Sequence, residues 1–223
     1  MGTTIKLTAA DGHQFDAYRA DPKGKPKAAL VVCQEIFGVN SHMRRVTDEF
    51  AADGYVAIAP ALFDRAEPGV EIGYDAADVA RGRDIRAKVP NEKALVDIDA
   101  AAKAVRSIGK LGVVGYCWGG RLVWLSACRL SFDAGVVYYG GGIAETKDEK
   151  PRCPVMMHFG ETDSSISMTE VEAIRKAQPQ ATYHVYPAGH GFNCEQRGSY
   201  HPESARLARE RTMAFLARHL KSA

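Results

Sequence analysis

Leu111-Gly112-Val113-Val114-Gly115-Tyr116-Cys117-Trp118-Gly119-Gly120, running on into Arg121-Leu122-Val123-Trp124-Leu125, decides how the rest of this chain is read. Leu111–Gly115 is a short apolar run and Gly120–Arg129 carries apolar residues at helical spacing, so the two halves read as a buried strand and the helix after it. Between them, glycines two residues either side of Cys117 give a G-x-C-x-G elbow. In such an elbow a sharp strand-to-helix turn lifts one nucleophilic side chain above a sheet, and the glycines relieve backbone crowding. Cysteine stands here where serine is more usual. The competing reading is a buried small-residue turn without chemistry, and the flanking strand and helix argue against it.

Outward from the elbow the same rhythm repeats. Ala28–Cys33 precedes a helical pattern over Arg44–Asp53, and Tyr55–Ala59 is followed at a distance by one over Glu92–Ile108. After the elbow come Gly135–Tyr139, Val155–Gly160, a helix near Thr169–Gln178, Thr182–Tyr186, and a last helix within Pro202–Leu220. Short strands alternating with helices predict an α/β fold, a mostly parallel sheet covered on both faces. Thr4–Ala9 and Gln14–Ala20 flank Asp11-Gly12, which predicts an N-terminal antiparallel hairpin. Asn91 is placed to cap the helix beginning at Glu92, and Gly109 to end it in a left-handed conformation. Residues 60 to 90, rich in Pro and Gly with only a weak helical segment, read as an excursion over one end of the sheet.

Composition narrows the function classes. At 223 residues, 46% hydrophobic and 25% charged, the chain suits one domain over 1–223 with a continuous core. Its 29 basic and 27 acidic residues lack any long run of one sign, so no nucleic-acid footprint is present. No apolar stretch reaches bilayer length and the start lacks a secretory pattern, which predicts no membrane partner and a cytoplasmic location. Cys33, Cys117, Cys128, Cys153 and Cys194 form no CxxC pair, so reduced thiols are expected rather than disulfides or structural zinc.

A nucleophilic thiol needs a base to take its proton and a carboxylate to orient the base, in the chain order nucleophile, acid, histidine. Asp163 lies just beyond the Val155–Gly160 strand, and His190 lies in the turn-rich Pro187-Ala188-Gly189-His190-Gly191-Phe192 after the next strand. The other histidines fit bland roles: His13, His42 and His219 at the surface, His158 and His184 inside strands, His201 at the start of the last helix. A metal site from His190, Cys194 and His201 matches no zinc signature, and no cofactor is called for. Glu35, in Gln34-Glu35-Ile36-Phe37-Gly38 at the end of the first buried strand, has two readings. It reaches the elbow, or it pairs with an arginine such as Arg44 or Arg45.

Gln34–Asn40, Gly115–Gly120, the Asp163 loop and Ala188-Gly189-His190-Gly191-Phe192 together resemble the dienelactone hydrolases, over nearly the whole chain. These are cysteine α/β-hydrolases that open a cyclic enol-lactone, carboxymethylenebutenolide, to maleylacetate in bacterial catabolism of chlorinated aromatics. The resemblance implies Cys117 as nucleophile, His190 as base and Asp163 as its orienter. It also implies that Glu35 holds the resting thiol, that the backbone amides of Ile36 and Trp118 form an oxyanion hole, and that the protein is a monomer without cofactor. Two arginines hold the substrate carboxylate in this family. One is expected four residues after the histidine, where this chain has Cys194 with Arg197 nearby. The other falls in the excursion, where Arg81 and Arg83 are candidates, and Phe37 is a candidate for the pocket wall. Three functions follow in order: hydrolysis of dienelactone or a related small ester, a broad carboxylesterase or thioesterase, and a non-catalytic thiol-containing binding protein.

Overall fold

Five consecutive strands of this chain are buried from end to end, as a sheet covered on both faces requires. The computed structural model describes residues 1–221. The fully buried strands are β3 (Ala28–Cys33), β4 (Tyr55–Pro60), β5 (Leu111–Tyr116), β6 (Ala134–Tyr138) and β7 (Val155–Gly160). Their runs of Ala, Val and Ile have no polar face to show to water. The outer strands alternate or are half-buried: β1 (Thr3–Thr8), an edge strand, and β8 (Thr182–Tyr186) at the other edge. β2 (Gln14–Ala20) joins β1 to the rest, giving one eight-stranded sheet in the order β1-β2-β4-β3-β5-β6-β7-β8. The β1–β2 and β2–β4 pairings are antiparallel and every other pairing is parallel.

The order reverses at β3, with β4 on one side and β5 on the other, and ligands of open α/β sheets bind outside the carboxyl ends of strands at such a switch point. Right-handed crossovers then place helices on opposite faces. The helices α1 (Ser41–Ala52) and α6 (Pro202–His219) meet through Arg209, stacked on Phe50 at 4.0 Å, while α3 (Asn91–Val105) and α4 (Trp118–Arg129) pack together across the sheet. The remaining helices are α2 (Ala76–Ala87) and α5 (Met168–Ala177), the latter opened by a Ser167–Glu170 capping box. Among the described residues no helix is long and apolar enough to cross a membrane.

Four local expectations need correcting. The excursion holds a full helix, α2, whose face is nearly bare of apolar residues: only Gly82 and Ile85 are buried. A cap from Asp75 to the Asp78 amide supports it, and Gly82 seats it against the Ile36 carbonyl, where a Cβ would lie 2.1 Å away. Asn91 does not cap α3, which starts at Asn91 itself after Pro90, because the Asn91 side chain is engaged elsewhere. That helix ends earlier than expected, in a 3-10 turn over Arg106–Ile108, and Gly109 follows at φ 138°, ψ −134°, a glycine conformation other than left-handed helical. His42 is fully buried rather than at the surface, since it lies on the same face of α1 as Val46 and Phe50.

Candidate active site

Strand ends assemble the site. In the parallel register Cys33 stands opposite Gly115, and Gly160 opposite Tyr186. The residues immediately past β3, β5, β7 and β8, namely Glu35, Cys117, Asp163 and His190, therefore share one edge of the sheet. A cleft of about 640 Å³ opens there, lined among others by Ile36, Phe37, Cys117, Trp118, His190 and Arg197.

Cys117 occupies the turn between β5 and α4 at φ 56°, ψ −118°, a conformation a side chain adopts only when its surroundings over-determine it. Its amide donates to the Tyr138 carbonyl of β6 at 3.0 Å, and its carbonyl accepts from Gly120 at 2.9 Å. The glycines make this possible by close approach. A Cβ on Gly115 would lie 2.3 Å from the Gly119 carbonyl oxygen, and one on Gly119 would lie 2.3 Å from that of Cys33. Trp118 opens α4, so its amide is among the donors a helix leaves without an internal partner. The indole of Trp118 lies near Phe63, with ring centres 5.6 Å apart, and donates to the Asn91 side-chain oxygen at 3.0 Å.

His190 and Asp163 meet as the chain order required. His190 Nδ1 is 2.8 Å from Asp163 Oδ2, while Asp163 Oδ1 accepts from the amides of Ser165 at 2.7 Å and Ile166 at 3.1 Å. Asp163 is 7% exposed, so its carboxylate is held in place and shielded. Burial disfavours a charged imidazole, but the charge of Cys117 and hydrogen bonds to Asp163 and Cys117 outweigh it, and His190 is pushed up to about 10. Tyr139, at φ 38°, packs its ring edge-to-face with the imidazole, 5.2 Å between centres.

The second reading of Glu35, pairing with an arginine, has a different partner from those expected. Arg197 Nη1 donates to Glu35 Oε1 at 3.0 Å, whereas Arg44 pairs with Glu71, and Arg45 with Glu49 and Glu195. Glu35 Oε2 is buried without a hydrogen-bond partner, so the expected bond from Glu35 to the resting Cys117 thiol is not formed; the carboxylate is turned to Arg197 instead. Of the candidate substrate arginines, Arg83 and Arg197 line the cleft together with Phe37. Arg81 does not: it sits on an exposed turn of α2 and pairs with Glu67. Two cleft arginines escaped the sequence reading, Arg86 from α2 and Arg121 from α4, the latter paired with Glu145. Arg86 is the basic residue of the last turn of α2, a helix whose extent was not read. Arg121 lies one helical turn past Cys117, a spacing that signals proximity to the elbow. His201 caps α6 through its Nδ1, 3.2 Å from the Ser204 amide, and takes no part in the cleft.

The family model of the dienelactone hydrolases matches residues 15–220. The chain belongs to the dienelactone hydrolase family. It is 33% identical to a carboxymethylenebutenolidase from Pseudomonas putida, covering 96% of this chain and 95% of that one. It is likewise 33% identical to a protein assigned as a carboxymethylenebutenolidase from Synechocystis, covering 98% of both. A crystal structure of a protein assigned as a dienelactone hydrolase from Klebsiella pneumoniae superposes with a TM-score of 0.86 at 31% identity, over 98% of this chain and 99% of that one. As a dienelactone hydrolase family member, this chain is an ester-cleaving hydrolase with the α/β-hydrolase fold.

Proposed function

We propose that this hydrolase opens a small anionic lactone, dienelactone (carboxymethylenebutenolide) in the first place, to its ring-opened acid through Cys117, His190 and Asp163. The observation that carries the reading is the buried Asp163–His190 pair, 2.8 Å apart, beside a thiol on a strained elbow at the cleft. Asp163 fixes the proton on His190 Nδ1, which leaves Nε2 to exchange a proton with the thiol. The thiolate attacks the carbonyl carbon. The oxyanion that forms is met by the amides of Ile36 and Trp118, and losing one such donor typically costs ~10² to 10³ in rate.

Collapse of the adduct breaks the ring C–O bond, gives an acyl-thioester, and passes the His190 proton toward the leaving oxygen, which stays tethered because the substrate is cyclic. Acylation also removes the Cys117 charge that favours imidazolium. Burial then pulls His190 toward its neutral form, and it becomes the base that activates water for deacylation. Arg83, Arg86 and Arg197, which all line the cleft, supply positive charge for the substrate carboxylate. One continuous sheet through all eight strands supports reading the chain as a single domain.

The test is turnover of cis- and trans-dienelactone by wild type and Cys117→Ala, with p-nitrophenyl acetate alongside. Rapid lactone loss that disappears in Cys117→Ala is the expected result. Cys117-dependent cleavage of the neutral ester alone overturns the substrate and leaves a general esterase. Lactone turnover that survives Cys117→Ala overturns the mechanism.

A further inference from the structure

Behind the Glu35–Arg197 pair lies a second group of donors, two of which, His42 and Cys194, take no part in the hydrolytic chemistry. Glu35, His42 and Cys194 come from three separate places, the end of β3, the first turn of α1 and the loop after β8, and are 1%, 0% and 0% exposed. Each offers a ligand-type atom within 4.8 Å of those of the other two. Two polar atoms of this group, Glu35 Oε2 and His42 Nε2, are buried without a hydrogen-bond partner, an arrangement folded proteins avoid unless something else satisfies it.

What surrounds the three residues is what metal ligands require. His42 Nδ1 is 2.9 Å from Glu195 Oε2, which holds the ring proton on Nδ1 and leaves the Nε2 lone pair free, the carboxylate–histidine pairing that orients ligating imidazoles. Glu35 is steadied through Oε1 by Arg197, which leaves Oε2 as a single available oxygen. Cys194 is fully buried, its thiol kept from water as a metal-ligating sulfur requires. A sulfur, a nitrogen and an oxygen donor together favour Zn²⁺ over Mg²⁺ or Ca²⁺. Zinc bond lengths of about 2.0 to 2.3 Å put tetrahedral ligand atoms roughly 3.3 to 3.8 Å apart, so shifts of about 1 Å close the group onto an ion.

We propose that Glu35, His42 and Cys194 form a binding site for a thiophilic divalent cation, Zn²⁺ first, distinct from Cys117, His190 and Asp163. The ion ties the loop after β8, which also carries Arg197 into the cleft, to β3 and α1. Its three ligands lie on different elements, so no zinc spacing is visible along the chain.

The full-length protein, reduced and freed of metal, is titrated with Co²⁺ while the cobalt–thiolate charge-transfer absorption is followed, and Zn²⁺ is then added in competition. The expected result is one equivalent of Co²⁺ bound through thiolate and displaced by Zn²⁺. The band persists in Cys117→Ser and Cys153→Ser and is lost in Cys194→Ser. Glu195→Gln, which keeps all three ligands, weakens the affinity about 10- to 100-fold. No thiolate band in wild type overturns the proposal, as does a band that survives Cys194→Ser and vanishes in Cys117→Ser. Should Cys194→Ser fail to fold, Glu195→Gln decides, and an unchanged affinity overturns it.

Discussion

Replacing Gly119 by alanine tests the link between elbow packing and chemistry more sharply than removing a catalytic group. The new Cβ would meet the carbonyl oxygens of Cys33 and Gln34 at 2.3 and 2.5 Å. Carbon–oxygen contacts normally stand at about 3.3 Å or more, so the start of α4 and the end of β3 must part by about 1 Å. Both obstacles are backbone atoms of a buried strand end, so no rotamer change relieves the clash, and the cost falls at the upper end of the overpacking range, about 3 kcal/mol. With a urea m-value of about 2 kcal/mol/M, the unfolding midpoint drops by about 1.5 M. The displacement also separates Ile36, just past β3, from Trp118, the first residue of α4, so the two proposed oxyanion donors no longer converge. Turnover of p-nitrophenyl acetate, measured on the folded fraction in buffer, is expected to fall by ~10². Gly198→Ala is the control, since nothing lies within 4 Å of its Cβ and its midpoint should hold or rise slightly. A Gly119→Ala protein whose midpoint shifts by less than about 0.2 M and whose turnover stays within about two-fold of wild type refutes the reasoning.

Asp163→Asn should keep the fold but cut turnover by ~10⁴, because an amide whose oxygen stays on the Ser165 and Ile166 amides presents its NH₂ to His190 and imposes the wrong tautomer; a loss under tenfold contradicts this. Arg197→Gln leaves the buried Glu35 carboxylate unpaired and should lower urea stability by about 3 kcal/mol, with Glu35→Gln in the same chain restoring most of it; simple additivity of the two single effects argues against the pair. Because His190 is raised from 6.5 to about 10, its protonation favours the folded state fully below pH 6.5, and that contribution disappears as pH climbs through about 10. The gap in urea midpoint between wild type and His190→Gln should therefore be widest near pH 6 and close toward pH 10, and a constant gap rules the linkage out. Arg83→Gln together with Arg86→Gln should raise KM for an anionic lactone about tenfold or more while leaving p-nitrophenyl acetate unaffected; equal effects on both substrates remove these residues from carboxylate binding.

Which parts of this molecule were legible in advance follows from how strongly burial acts on each. β2, β3, β7 and β8 have the ends their apolar or alternating runs predict, since a strand buried in the sheet ends where polar residues and turn formers begin. The elbow, Asp163 and His190 were legible because strand ends in a parallel sheet all face one way. α2 was not, because a helix with two buried positions leaves almost no periodic trace and rests on a cap and on Gly82 instead. Arg197 was placed near but not at a functional position, because the irregular loop after β8 has no period to fix which residue reaches Glu35. His42 had a usable signal that went unread: it stands four residues before Val46 and eight before Phe50, the spacing of one buried helical face.

The strain at this site has a source in the sheet itself. Cys117 and Tyr139 are the non-glycine residues at positive φ among the described residues, and they follow directly on neighbouring strands β5 and β6. Each is held by a bond that continues the parallel ladder one step past its strand: Cys117 N–H to the Tyr138 carbonyl at 3.0 Å, and Tyr139 N–H to the His158 carbonyl at 2.8 Å. Glu161 does the same from β7 to the Tyr186 carbonyl at 2.8 Å. The cost of each unfavourable conformation, of order 1 to 3 kcal/mol, is thus offset by hydrogen bonds that a relaxed turn would forgo. A nucleophile, an imidazole support and the approach to Asp163 are thereby set by three adjacent strand ends rather than by free loops, which is how a loop-built site keeps sub-ångström geometry.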